Sequence, residues 1–263
     1  MKKSVDIIIF GGQSNMQGQT ESLPKNNNPV EKAKEYRFLE DEFVPLKHPV
    51  GEDLRGEKWC AAASMGYGSL VPAFCRSYIE KTGRDVVAIH AARGSTVLGE
   101  WLHGTQFAYN ARRKIARGIK KAKDIYDVER IYYVWLQGES DALIHTGKDE
   151  YCARLIEYKN QLKERFQIDK FGIIKMGYFL ADGAWSLNPE DTQELRIAYN
   201  EEIMNAQELA VNKDEDFVML TRICTELSMD SEFLNPNAKG HYNNKAMEII
   251  GEKAGYGLAE IRK

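Results

Sequence analysis

The sequence predicts an α/β fold in three layers, with a five-stranded parallel sheet between two layers of helices. Three observations lead there. Five short runs rich in β-branched and aromatic residues recur along the chain, they read as buried strands, and segments with helical spacing of apolar residues separate and follow them. Strand and helix alternate five times, and such alternation builds a parallel sheet covered on both faces. The expected α/β/α arrangement is flavodoxin-like.

Val5–Phe10 is the first expected strand, stopped by Gly11 and Gly12. Asp85–His90, Arg130–Leu136, Gly172–Leu180 and Phe217–Thr221 follow as the second to fifth. A helix is expected near Leu70–Lys81. The cleanest helical spacings are Phe107/Ala111/Ile115/Ile119, Tyr151/Leu155/Tyr158/Leu162/Phe166 and Leu195/Tyr199/Ile203/Ala206, and Met247/Ile250/Ala254/Leu258/Ile261 closes the chain. Thr20 to Ser69 fits less well, because "PKNNNP", charged pairs and single apolar residues give it no period. A structureless insert of that length is unusual in a compact domain, so it is expected to fold over the sheet edge or the site. With no linker and no repeat, residues 1–263 are predicted to form one domain.

With 43% hydrophobic and 29% charged residues, the chain has the composition of a soluble globular protein. A formal net charge of -3 gives no reason to expect nucleic acid or an anionic membrane as partner, since both reward a basic surface. The one cationic cluster, Arg112 to Lys123, reads as the wet face of a helix. Cys60, Cys75, Cys152 and Cys224 form no CxxC pair, which suggests reduced thiols and neither a disulfide framework nor a zinc site. Lys2 and Lys3 precede an apolar run that Asp6 interrupts and Gly11 ends, too short for a signal-peptide core. No stretch is long enough to span a membrane, and the expected location is cytoplasmic.

Ligands of an open parallel sheet bind beyond the carboxyl ends of its strands. The first strand leads into Gly12-Gln13-Ser14-Asn15-Met16, the second into "AARGSTVLGEW", the third into "QGESD" (Gln137 to Asp141), and the fourth into "ADGAW" with Asp182. Beyond the fifth lies "NPNAKGHYN" with His241. These loops are expected to converge at one edge, which supplies the parts of a serine esterase. A serine hydroxyl needs an imidazole to take its proton, and His241 is placed to serve Ser14. The oxyanion of the tetrahedral intermediate needs donors, and the Ser14 N–H, a glycine N–H of the second loop and the Gln137 side chain are available. Gly94 is the expected glycine, because a missing Cβ lets the backbone come close.

Each residue also has a plainer reading. Ser14 could cap a helix, Gly94 could only make a turn, the acids of "QGESD" could favour a helix start, and His241 could be a solvated loop residue. Their joint placement, each on a different strand end, favours the catalytic reading. A phosphate-binding loop is the main rival, but "GGQSNMQG" carries no Lys-Ser/Thr after its last glycine. The histidines at 48, 90, 103, 145 and 241 show neither HxxxH nor HExxH, so no metal site is expected.

"GQSNM-x-G" after the first strand, "QGESD" after the third and a late histidine before the last helix resemble the SGNH hydrolase superfamily. Within it they resemble the carbohydrate esterases that include acetylxylan esterases and sialate O-acetylesterases. The resemblance runs from Ser14 to His241. It implies deacetylation of an acetylated sugar by a Ser-His mechanism without cofactor, with Ser14 as nucleophile, Gly94 and Gln137 as oxyanion donors and His241 as base. Many members carry an aspartate three residues before the histidine; here that position is Ala238. Glu139 is the expected replacement, with Asp141, Asp182 and Asp230 as alternatives. On the substrate side stand Arg93, Trp101, His103 and Trp185, together with Asp182, and "MGYGSLVPAF" is expected to wall the pocket. A member that has lost catalysis and only binds sugar is the alternative that the missing aspartate raises.

Overall fold

The computed structural model describes residues 2–52, 67–102, 104–180 and 190–262. Its elements run β1 (Ser4–Gly12), α1 (Ser14–Gln17), β2 (Ala33–Arg37), β3 (Glu42–Pro45), α2 (Val71–Thr82), β4 (Asp85–Ala92), α3 (Leu98–Leu102) and α4 (Gln106–Ile125). Then follow β5 (Asp127–Leu136), α5 (Glu139–Leu143), α6 (Lys148–Phe166), β6 (Lys170–Ile174), α7 (Gln193–Lys213), β7 (Phe217–Thr221), α8 (Cys224–Leu227) and α9 (Asn244–Ile261). The strands form one sheet in the order β3-β2-β4-β1-β5-β6-β7. Every neighbouring pair is parallel except β2 with β3. The fold is the expected three-layer α/β class.

The sheet has seven strands instead of five, and the two extra ones lie in the Thr20–Ser69 stretch, which showed no period and was expected to fold over the sheet edge or the site. β2 and β3 form an antiparallel hairpin that joins the sheet edge beside β4. Their sequences, AKEYR and EFVP, are short and carry charges, and β3 forms the edge itself. Glu35 hides the strand pattern further: it is fully buried, and its carboxylate accepts the Gly51 N–H at 2.7 Å and pairs with Arg37 at 3.2 Å. The fourth expected strand is shorter than Gly172–Leu180, ending at Ile174. Past that point the backbone donates to side chains, Met176 to Gln207, Tyr178 to Ser228 and Phe179 to Asn200, because β7 offers no further ladder beyond Thr221.

α2 and α9 cover one face. Phe74 of α2 stands edge-on to Phe10 at 5.1 Å, and Tyr78 donates to the buried Asp6 at 2.6 Å. α4 and α6 cover the other, where Tyr158 meets Tyr133 through a 2.8 Å hydrogen bond between their hydroxyls. Side-chain caps start three helices: Thr105 for α4, Thr192 for α7 and Asn243 for α9. β1 is buried from Val5 to Gly12, as a central strand between two layers must be. Its register aligns Gly12 with Ala92 of β4 on one side and with Leu136 of β5 on the other. Three strand ends therefore finish level, and the loops after them start side by side. Gly12 makes this possible. Its φ is +139°, and a Cβ there would lie 2.0 Å from the Leu136 carbonyl oxygen.

Candidate active site

Ser14 opens α1 directly after the β1 end, with Gln13 as the residue before the first helical turn. The turn is stitched to its neighbours. The Gln13 N–H donates to the Leu136 carbonyl at 3.1 Å, and its Oε1 accepts the Ser140 N–H at 3.1 Å, tying the first loop to the start of α5. From β4, His90 Nε2 lies 3.1 Å from the Met16 carbonyl oxygen. Burial and the Lys114 charge push His90 down to about 3, so the ring is neutral and donates from Nε2. Ser14 itself is 5% exposed.

The second loop leaves β4 beside it, and the Arg93 N–H donates to the Gly12 carbonyl at 2.8 Å. At Gly94 a Cβ would meet Ser14 Cβ at 3.4 Å, Gln19 Nε2 at 3.2 Å and Gln17 Oε1 at 2.9 Å. The glycine expected to approach Ser14 does so. Its N–H is occupied, however, by Gln17 Oε1 at 2.9 Å. Thr96 braces the loop, its hydroxyl donating to the Arg93 carbonyl at 2.8 Å and accepting from Trp101 Nε1 at 3.0 Å. Trp101 is not a sugar platform, which corrects the expectation. It is 1% exposed and packed edge-on against Phe107 at 5.2 Å and Trp135 at 5.5 Å. Arg93 is half-buried on this loop.

"QGESD" behaves differently from its expected roles. Gln137 is fully buried, with Nε2 donating to the Thr96 carbonyl at 2.9 Å and to Asp141 Oδ2 at 2.6 Å, while Oε1 accepts from Tyr151 at 2.9 Å. Both amide hydrogens are spent on the protein, so Gln137 holds the second loop in place and does not aim at an oxyanion. Asp141 helps it, accepting the Leu98 N–H at 2.8 Å and the Thr146 hydroxyl at 3.1 Å. Burial raises its pKa, and these hydrogen bonds oppose that shift. Three donors saturate it.

Glu139 is the third correction. Its Oε1 accepts from Asn15 Nδ2 at 2.8 Å, and its buried Oε2 has no partner. Burial pushes this carboxyl up, toward its neutral form. The His241 ring is held otherwise: Nδ1 lies 3.2 Å from the Lys239 carbonyl oxygen, and Phe179 stands edge-on at 5.6 Å. Burial lowers the His241 pKa, with its backbone contacts opposing. Asp230 caps the turn at Ser231–Phe233 on the exposed surface, and Asp141 is engaged as described. No described carboxylate is hydrogen-bonded to the imidazole. Asp182, His103 and Trp185 lie outside the described residues, as do Met65 and Gly66 of the glycine-rich segment.

Asn15 joins what Glu139 and His241 do not join directly. Its Nδ2 holds Glu139, and its Oδ1 accepts the Tyr242 N–H at 3.3 Å, so the residue after Ser14 touches the residue after His241. The structure thus brings the Ser14 turn, the Gly94 loop, the "QGESD" loop and the histidine loop together. Gln13, Asn15 and Gln17 are the residues whose parts sequence reasoning missed. The signal available was their alternation around Ser14, three amides at every second position.

The family model described as carbohydrate esterase, sialic acid-specific acetylesterase matches residues 4–223. That span carries Ser14, Gly94, Gln137 and Glu139 and stops ahead of His241. No curated protein matches the chain in sequence. Among solved structures the chain is similar to a protein from Arabidopsis thaliana, at 18% identity over 99% of this chain and 98% of that one, with a TM-score of 0.63. It is also similar to a carbohydrate acetylesterase from Xanthomonas citri, at 15% identity over 97% of this chain and 54% of that one, TM-score 0.52. A lipase/acylhydrolase from Enterococcus faecalis matches at 14% identity over 98% and 96%, TM-score 0.50. At such identities the likeness is one of fold. With most of its length matched, the chain belongs to the carbohydrate esterase, sialic acid-specific acetylesterase family.

Proposed function

We propose that this protein removes O-acetyl groups from acetylated carbohydrate through an acyl-enzyme on Ser14. The observation that carries the reading is the level finish of β1 and β4, which sets Ser14 beside Gly94, combined with the Asn15 bridge that brings in the histidine loop. Ser14 Oγ attacks the acetyl carbonyl carbon and its proton passes to His241 Nε2. Donation from Nδ1–H to the Lys239 carbonyl selects the tautomer in which Nε2 is the acceptor. Burial favours the neutral ring, which is the base form. The carbonyl oxygen becomes the oxyanion and is met by the Ser14 and Gly94 N–H groups. Collapse expels the sugar alkoxide, which takes the proton from Nε2, and water repeats the sequence to release acetate. Glu139 acts through Asn15, steadying the histidine loop without touching the ring.

The second reading, a sugar-binding member without catalysis, is favoured by one feature, an imidazole with no carboxylate hydrogen-bonded to it among the described residues. Acetate release separates the two. Wild-type protein is expected to hydrolyse 4-nitrophenyl acetate and acetylated sialic acid or xylan, and Ser14→Ala to lose turnover by on the order of 10⁴-fold while keeping its circular dichroism spectrum. A serine-directed phosphonate should label Ser14. Ordinary turnover in folded Ser14→Ala removes Ser14 from the mechanism, and no acetate release from wild type on any of these substrates leaves the binding reading.

A further inference from the structure

Gln17 stands three residues after Ser14 in α1, so its side chain shares the nucleophile's side of the turn. It is 2% exposed, and its Oε1 accepts the Gly94 N–H at 2.9 Å. An oxyanion served by a backbone donor sits about 2.7–3.1 Å from that nitrogen. The carboxamide oxygen is therefore at the distance a reacting carbonyl oxygen would take, on the same donor. One N–H cannot direct its hydrogen at both. The surroundings of Gly94 repeat the point: the direction a Cβ would take is closed by Gln17 Oε1, Gln19 Nε2 and Ser14 Cβ.

We propose that Gln17 is a gate on the acyl-oxygen site, its carboxamide occupying the Gly94 N–H in the free enzyme and leaving it when the ester carbonyl arrives. The inference rests on the esterase reading and deepens it. A ground-state hydrogen bond must be broken before the oxyanion donor is available, so the gate slows small acyl substrates that bring few contacts of their own. Sugar esters, with more groups to bind, displace it more readily. The gate is a neutral acceptor like the carbonyl it imitates, which makes the exchange nearly balanced. A purely structural role, Gln17 bracing the Gly94 loop, predicts the opposite response to its removal.

Two substitutions separate these. Gln17→Met removes the acceptor at similar length, and Gln17→Glu puts a charged acceptor in its place. As a gate, Gln17→Met raises kcat/KM on 4-nitrophenyl acetate about two- to tenfold, the worth of one neutral hydrogen bond, and tightens binding of phenylboronic acid by a similar factor. Gln17→Glu lowers kcat/KM by more than about tenfold, because it holds the N–H harder and sets negative charge against the oxyanion. Gln17→Leu serves as a second acceptor-free variant should the methionine protein not fold. Equal or lower kcat/KM in the folded acceptor-free variant overturns the gate. Ser14→Ala is assayed in parallel: if it keeps wild-type turnover, the Ser14 acyl-enzyme reading has failed, whereas a dead Ser14→Ala with an unimproved Gln17→Met means that only the gate has failed. Absence of both acetate release and boronate binding from wild type and Gln17→Met overturns both together.

Discussion

Replacing Glu139 by Gln tests most sharply how the histidine is supported. Were Glu139 the acid of a triad, the change would remove the counter-charge of the imidazolium and cost about 10⁴ in turnover. The geometry argues for a small effect. Glu139 Oε1 meets Asn15 Nδ2 at 2.8 Å, and His241 Nδ1 faces the Lys239 carbonyl. The amide oxygen of Gln can take over the Asn15 N–H, so the loss is the difference between a hydrogen bond to a charged group and one to a neutral group, about 1 kcal/mol. Carried fully into the transition state, that is about fivefold. Burial already drives the carboxyl toward its neutral form, which trims the loss further. The expected turnover of Glu139→Gln is therefore within about tenfold of wild type. The assay is kcat on 4-nitrophenyl acetate across the acidic limb, with Asn15→Ala beside it. Asn15→Ala should be the more damaging change, since it strips partners from both Glu139 and the Tyr242 N–H. Stability carries a sign as well. A carboxyl whose folded pKa is raised favours the fold most below its unfolded pKa, and that contribution is lost as pH rises through the folded value. Glu139→Gln should thus gain stability relative to wild type as pH rises. A loss of about 10³ or more, approaching what removal of a triad acid costs, together with a displaced acidic limb, would refute the reasoning and return Glu139 to the imidazole.

Two further outcomes follow from burial. Since burial lowers the His241 pKa, the acidic limb of kcat/KM should have its midpoint below the ordinary value of 6.5. Stability should also fall as pH drops below 6.5, because the unfolded chain takes up the proton before the folded one does; a limb at or above that value would place a carboxylate beside the ring. Gln137→Ala should act on stability first, lowering the unfolding free energy in urea by about 2–4 kcal/mol as Asp141, Tyr151 and the Thr96 carbonyl lose partners. A Gln137→Ala protein as stable as wild type but 10²-fold slower, about the cost of one missing oxyanion donor, would mean that its amide reaches the substrate after all.

By itself the sequence determined the fold class, the central strands and the order in which Ser14, Gly94, "QGESD" and His241 reach one edge. These were legible because buried parallel strands are contiguous apolar runs, and because ligand loops of such a sheet follow strand ends. β2 and β3 were not legible, since a short strand with Glu35 buried in it, and a short edge strand beside it, look like a charged loop. Tertiary structure alone decided what each polar atom does. Gln137 is committed to Thr96 across 41 residues, Glu139 to Asn15 across 124, and Asn15 to Tyr242 across 227. No local period encodes such pairings. A hydrogen bond depends on a few tenths of an ångström and on the direction of one hydrogen, and both are settled only when the loops have packed. The same holds for Trp101, which could be platform or core by composition and became core because Phe107 and Trp135 closed around it.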